Sequence, residues 1–367
     1  MSPISPSFTE IPIIDLSLAD SPRTRPDLLR QLYHALTSVG FLYITNHGVP
    51  EPVISNLVQV LPTLFSLPDD IKEQIALHNS PHFLGYSSVG AETTAGKKDH
   101  REQVEYATEL PDRWVQGLPL YERLKGPNQW PSTYPELRPI VTNYISELTS
   151  LGDRFLRLVA ESLSLPQDTF FPFLSEQHRL KLVRYPGFKS LGQTASASAS
   201  ASASTTTRQG VGPHKDSSGW WTFLLQASPE EKRGLQVLNK DGQWIDVPPI
   251  PGTFVVNIGQ AFEVVTNGFC KATTHRVELG SPNDRYSVPF FQGVRGSLTK
   301  KEAVETLKAH FNEIGRESEQ GLQIDSPFLQ GKYETWGEAQ LRTKIRSHRD
   351  VGKLFYKDVY DKYINDD

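Results

Sequence analysis

Two short stretches, Gly210-Val211-Gly212-Pro213-His214-Lys215-Asp216 and Thr274-His275-Arg276-Val277, decide the reading of this chain. In extended backbone, side chains two apart point to the same face, so His214 and Asp216 share one. His275 opens a second extended run. Two imidazoles and one carboxylate can cap one face of an octahedral metal and leave the opposite positions open. His-x-Asp alone is a cheap pattern. A second copy, His348-Arg349-Asp350, lies in a basic, helix-like stretch with no later His and reads as a solvated helix face. It imitates a kinase catalytic loop, but Phe355 stands where that loop needs Asn.

Around the first stretch the chain reads as short strands. Leu180 to Tyr185, Trp221 to Leu225, Leu235 to Leu238, Trp244 to Val247, Phe254 to Ile258, Thr273 to Leu279 and Tyr286 to Phe291 alternate with Gly, Pro and Asn-Gly turns. Lys240-Asp241-Gly242 marks a hairpin. Many short strands at this spacing imply a sandwich or barrel, and no helix of useful length separates them. Before them the pattern is mostly helical, from Pro26 to Val39, from Pro50 to Ile75 with breaks near Pro62 and Pro68, and from Tyr134 to Leu163. Two short strands, Ile11 to Leu16 and Phe41 to Ile44, interrupt it. Ala195 to Ser204 is a strict Ala-Ser alternation that offers little to bury and reads as a surface loop.

Composition closes other routes. The chain has 367 residues with 37% hydrophobic and 22% charged, enough to build a core. Its one Cys, Cys270, excludes a disulfide framework, a Cys-rich zinc site and a cysteine-ligated iron–sulfur cluster. A net charge of −4 with no basic block leaves no footprint for nucleic acid or an anionic membrane. No run approaches the ~18 apolar residues of a membrane helix. Met1 to Glu10 shows no secretory pattern, so a cytoplasmic enzyme is the expectation.

A third element strengthens the metal reading. Arg285 and Ser287 again share a strand face. A guanidinium fork beside a hydroxyl suits a carboxylate, through bidentate, charge-assisted pairing. Two His and one carboxylate with open positions mark non-haem Fe(II) oxygenases.

With these parts assembled, the chain resembles the isopenicillin-N-synthase-like group of Fe(II)/2-oxoglutarate-dependent oxygenases. The resemblance runs in order over about 10–310. It takes in Ile11-Pro12-Ile13-Ile14-Asp15-Leu16, Gly40 to Val49, Arg184-Tyr185-Pro186, the His214 motif, Gly234-Leu235-Gln236-Val237, Pro251 to Gly259, Thr266-Asn267-Gly268, His275-Arg276-Val277 and Arg285-Tyr286-Ser287. The resemblance implies an α+β fold with a mainly β core. That core is a distorted double-stranded β-helix (a cupin-like jelly roll) flanked by N- and C-terminal helices. It implies an N-terminal module over 1–125, a connecting long helix over 126–177, a catalytic jelly roll over 178–296 and a C-terminal helical segment over 297–367. It also implies His214, Asp216 and His275 as Fe(II) ligands, with Arg285, Ser287 and Tyr185 holding the far carboxylate of 2-oxoglutarate. O2 is then the oxidant, and a C–H bond of a small, partly apolar metabolite is hydroxylated, desaturated or closed into a ring, in secondary metabolism.

The chain departs from the pattern twice. Val183 replaces an Asn common in the group, and Gly259-Gln260 replaces Gly-Asp. An oxidase that uses Fe(II) and O2 without 2-oxoglutarate carries similar motifs and is the alternative; a cupin-like scaffold with a degenerate site is a more distant one. Segments matching the pocket mouth offer Tyr86, Gln103, Tyr106, Trp220 and Phe291 as substrate contacts. Of Trp220 and Trp221, strand alternation expects one ring inward and one outward. Trp336 to Tyr363 could close the pocket or make a dimer contact, and the state is a monomer or a homodimer.

Overall fold

Alternation of apolar side chains on extended runs builds two facing sheets. The computed structural model describes residues 7–94, 96–188, 190, 208–229, 233–314 and 324–365. The Ala-Ser segment at 195–204 lies outside them. The strands are β1 (Ile13–Asp15), β2 (Phe41–Thr45), β3 (Gly85–Ser87), β4 (Thr93–Thr94), β5 (Lys97–Lys98), β6 (Glu102–Ala107), β7 (Arg179–Tyr185) and β8 (Arg208–His214). They continue with β9 (Gly219–Gln226), β10 (Leu235–Leu238), β11 (Trp244–Asp246), β12 (Phe254–Ile258), β13 (His275–Leu279) and β14 (Arg285–Gly293). An eight-stranded sheet runs β1-β2-β12-β9-β14-β7-β6-β3, and a four-stranded sheet runs β11-β10-β13-β8. Apart from the parallel β1–β2 pair, neighbours are antiparallel, as a jelly roll requires.

The helices are α1 (Arg25–His34), α2 (Glu51–Phe65), α3 (Asp69–Gln74), α4 (Leu137–Ser162), α5 (Gln260–Val265), α6 (Lys300–Glu305), α7 (Lys308–Ile314), α8 (Pro327–Gln330), α9 (Trp336–Ser347), α10 (Arg349–Phe355) and α11 (Lys357–Asn365). The last apolar turn after α1 stops at Gly40, whose φ of 74° only Gly adopts without strain. The break expected near Pro62 does not occur; Pro62 lies inside α2. Burial of Leu57, Val60, Leu61, Leu64 and Phe65 on one face outweighs the single backbone bond that Pro forfeits. The break near Pro68 is present, between α2 and α3.

Each face of the large sheet has its own core. Trp221, Phe223, Val288, Phe290, Leu180 and Leu182 pack outward with Leu148, Leu151 and Phe155 of α4. Val183, Tyr185, Phe41 and Val255 pack inward against Val211, Leu235, Val237 and Val277 of the small sheet. N-terminal strands β1, β2, β3 and β6 complete the large sheet, so these strands share one hydrogen-bonded layer with the catalytic strands. Neither hydrophobicity nor turn signals announced β6, because Glu102, Gln103 and Glu105 look like surface. All six of its residues are buried.

Candidate metal centre

The inward face between the sheets is not filled by apolar side chains. It encloses a cavity of about 300 Å³, and His214, Asp216 and His275 lie on its wall. The β8–β13 pairing sets His214 directly opposite His275, with ring centroids 4.3 Å apart. Asp216 follows the end of β8 and brings Oδ1 to 3.6 Å from His214 Nε2 and 3.7 Å from His275 Nε2. One atom from each of the three falls within a 4.8 Å cluster, the only such group of His, Cys, Asp and Glu among the described residues.

Their outer contacts aim these atoms. His214 Nδ1 lies 2.8 Å from the Gly212 carbonyl, and His275 Nδ1 lies 3.2 Å from that of Thr273. Donating from Nδ1 leaves each Nε2 lone pair free, the tautomer that binds a cation. Asp216 Oδ2 accepts from Thr222 Oγ1 at 2.6 Å and Asn257 Nδ2 at 2.7 Å, which leaves Oδ1 for a metal. Burial works against the Asp216 charge, but His275, His214 and Thr222 outweigh it and hold the carboxyl well below its usual range. Burial, then the neighbouring His214, pushes His275 down to about 4. The three groups therefore sit ready as one anion and at least one neutral imidazole. That donor set fits a divalent iron.

Register on β14 and β7 carries the next group. Arg285 pairs with Tyr185 and Ser287 with Val183, and all four line the cavity. Arg285 is 3% exposed. Its Nη2 donates to Gln226 Oε1 at 3.1 Å, its guanidinium lies 5.0 Å from the Tyr185 ring centre, and its Nη1 has no partner. Burial lowers its pKa from the ordinary value. A buried guanidinium with an unused donor and no carboxylate among the described residues is costly, and an arriving carboxylate relieves it.

Phe291 lines the same cavity; the other four aromatic and amide candidates do not. Tyr106 is fully buried in the outer core and stacks on Trp130 at 4.5 Å. Trp220 stacks on Phe173 at 5.5 Å, and both Trp220 and Trp221 belong to the outer core. Alternation fails there because β14 slips register between Phe291 and Gly293, opposite the start of β9. Tyr86 donates to Glu102 on the outer side at 2.7 Å. Gln103 turns to Glu92, with Nε2 2.8 Å from Oε1. Beside Phe41, Tyr185 and Phe291, the wall carries Arg101, Glu105, Arg179, Lys181 and Lys344. Of the residues that matter here and were missed, Thr222, Gln226 and Asn257 had a signal, as polar side chains at inward positions of apolar strands. Glu105 and Lys344 had none.

His348 is buried, not solvated, with Nε2 3.5 Å from Glu92 Oε1 and its ring 6.0 Å from Phe83. Cys270 is buried, and His47 packs on Phe254. Gln260 donates its backbone N–H to the Asp216 carbonyl at 2.8 Å and its side chain to the Asp325 carbonyl at 3.0 Å. The C-terminal segment does reach the cavity: Lys344 lines it, and Gln340, one turn earlier on α9, donates to the Ser217 carbonyl at 2.7 Å. No helix among the described residues is long and apolar enough to cross a membrane.

Comparison with known proteins shows the family of this chain. Residues 184–294 match the 2OG-Fe(II) oxygenase superfamily, and residues 11–133 match the N-terminal region of a non-haem dioxygenase in morphine synthesis. The 2-oxoglutarate-dependent dioxygenase frbJ of Dothideomycetidae sp. is 43% identical over 95% of this chain and 92% of its own length. A homoarginine-6-hydroxylase of Glycine max is 30% identical over 89% of this chain and 97% of its own. A solved 2OG-Fe(II) oxygenase family protein from Caulobacter crescentus superposes with a TM-score of 0.68 at 25% identity, covering 92% of this chain and 99% of that one.

Proposed function

Since this chain belongs to the 2OG-Fe(II) oxygenase superfamily and is a 2-oxoglutarate-dependent dioxygenase, we propose that His214, Asp216 and His275 hold its Fe(II) and that Arg285, Ser287 and Tyr185 receive the far carboxylate of 2-oxoglutarate. The observation that carries this is one juxtaposition. Three convergent ligand atoms with their outer nitrogens and oxygen already engaged share a cavity with a buried, half-unused guanidinium. When bound, iron and 2-oxoglutarate together activate O2 for insertion into, or hydrogen removal from, a C–H bond.

The chain's own residues do the rest. Thr222 and Asn257 fix Asp216 in its charged form and single out Oδ1. The carbonyls of Gly212 and Thr273 keep protons on the far side of both imidazoles. Arg285 supplies a charge that keeps its proton at any ordinary pH, and Ser287 follows it two residues on along the same strand. Val183 offers no polar contact at its place beside Ser287, so Arg285, Ser287 and Tyr185 carry that end. Lys344 of α9 lines the cavity, and Gln340 ties that helix to Ser217 beside the triad.

The substrate is a small molecule held beside the triad, and the wall there sets Arg179, Lys181, Lys344 and Glu105 beside Phe41 and Phe291. The Glycine max relative is named for an amino acid substrate, a polar class that such a wall suits better than a largely apolar metabolite. The test is stoichiometric. With Fe(II), 2-oxoglutarate, O2 and substrate, the protein should release one succinate per product, and His214→Ala should release none. Product formation undiminished when 2-oxoglutarate is withheld would overturn the assignment of Arg285, Ser287 and Tyr185.

A further inference from the structure

Charge that neither the metal nor 2-oxoglutarate uses is gathered at the other end of the cavity. Arg179 and Lys181 follow Tyr185 and Val183 along the inward face of β7. Glu105 stands opposite Lys181 on β6, and Lys344 comes down on it from α9. Glu105 is 1% exposed. Its Oε1 takes Arg179 Nη1 at 2.5 Å and Lys344 Nζ at 2.7 Å, while Lys181 Nζ is 3.8 Å from Oε2. Oε2 is buried and has no hydrogen-bond partner.

The count of charges does not close. Lys181 also approaches Glu92 at 3.5 Å, but that carboxylate already pairs with Arg101 at 2.6 Å, and Arg101 with Asp99 at 3.3 Å. Arg101, Arg179, Lys181 and Lys344 therefore face Glu92, Glu105 and Asp99, four cations against three carboxylates. Burial makes the surplus expensive. Burial pushes Lys344 down to about 8 even though Glu105 pulls it up, with Arg179 and Lys181 adding to the push. A surplus buried cation next to an unused carboxylate oxygen is the complement of a ligand that carries an anion and, beside it, an N–H donor.

The place is right for a substrate. Thr222, which holds Asp216, is in register with Phe291, and Phe291 with Arg179, so the cluster lies in the transverse row of the triad. Along β7, Lys181 is four residues from Tyr185, about 13 Å at the usual strand rise of about 3.3 Å. One small dianion cannot satisfy both ends. Arg179 already donates to Glu105 and to the carbonyls of Phe83, His82 and Leu124, whereas Lys181 stands no nearer than 3.5 Å to any carboxylate. Resting on the iron and 2-oxoglutarate assignment above, we propose that the substrate is an amino-acid-like acid: its carboxylate is received by Lys344 and Lys181, and its amine donates to Glu105 Oε2.

The test uses the full chain loaded anaerobically with Mn(II) and 2-oxoglutarate, which occupies the Arg285 end. Ligand-observed NMR then compares norleucine, tryptophan and leucyl-leucine, each against its own C-terminal amide, with hexanoate as the acid that lacks the amine. The acids should bind at least about tenfold more tightly than their amides, as loss of a charge-assisted contact predicts, and norleucine more tightly than hexanoate. Lys344→Met and, independently, Lys181→Met should erase the acid preference, while Lys344→Arg should keep it. Equal affinity of acid and amide in all three pairs, no binding by any acid, or a preference that survives in both variants would overturn the proposal. Failure to take up Mn(II) and 2-oxoglutarate is seen separately in the same samples and would bring down the assignment beneath it.

Discussion

The two ends of the cavity bury positive charge in opposite ways. Arg285 is nearly alone, with one hydrogen bond to Gln226, a Tyr185 ring beside it and an unused nitrogen. Arg179, Lys181 and Lys344 instead crowd one carboxylate, Glu105, supplied by a different strand. The first end is poised for a ligand whose charge never varies, since a guanidinium keeps its proton. The second holds itself together without a ligand and keeps one lysine that can titrate. The difference teaches that a single unpaired charge leaves room for an arriving carboxylate, whereas a wall that must stand in the resting protein needs its own counter-ion.

The largest effect expected is on the metal that both ends serve. Asp216→Ala removes the only anion of the triad and should lower Fe(II) affinity and turnover by more than about 1000-fold, beyond the 10–100-fold typical of outer contacts. Metal titration and succinate release both read it; near-normal affinity would show that the carboxylate is not a ligand.

Next in size is a contrast of stabilities that breaks the comparison directly. Glu105→Gln leaves three buried cations around a neutral amide and should destabilise the resting protein by about 3 kcal/mol, the cost of breaking a buried pair. Arg285→Gln removes an unpaired buried charge and should leave the resting protein as stable or more so, while 2-oxoglutarate affinity falls about 30-fold. Urea unfolding without ligands measures the first, and titration with 2-oxoglutarate the second. Equal destabilisation by both substitutions would mean that the two ends are built alike.

Asn257→Leu should come third, with Fe(II) binding weakened about 10–100-fold through loss of the 2.7 Å contact to Asp216 Oδ2. Anaerobic Fe(II) titration of the variant should leave 2-oxoglutarate binding at Arg285 far less affected than metal binding.

The same contrast explains what could be read beforehand. The metal and cosubstrate end is built from residues two apart on single strands, His214 with Asp216 and Arg285 with Ser287. Period two places such pairs on one face whatever the rest of the fold does. The other end joins β6, β7 and α9, separated by scores of residues, and no local rule links Glu105 to Lys344. Worse, Glu105 disguises its strand. A glutamate is read as surface, and only cations brought by the fold make its burial affordable. Jelly-roll strands were legible from alternation and turns. Trp220 was misplaced because one slip between β9 and β14 cancels the alternation rule at the end of the strand.

The smallest expected effect separates the ends by pH alone. Lys344 is pushed down to about 8 by burial from an ordinary value of 10.5, against the pull of Glu105 on β6 and with the push of Arg179 and Lys181 on β7. Below about 8 it is charged and can hold an acid; as pH rises through that value it loses its proton, and affinity for norleucine should fall, by at most about tenfold per pH unit. Stability of the ligand-free protein has the opposite sign. Between about 8 and 10.5 the unfolded chain keeps a proton on this lysine that the folded one releases, so the contribution of this group to stability grows with pH. Arg285 has no such window, and 2-oxoglutarate affinity should stay flat over the same range. Lys344→Arg should flatten the norleucine profile as well. A norleucine affinity that does not change between pH 7 and 9.5 in the unaltered protein would show that Lys344 is not the group that holds the acid.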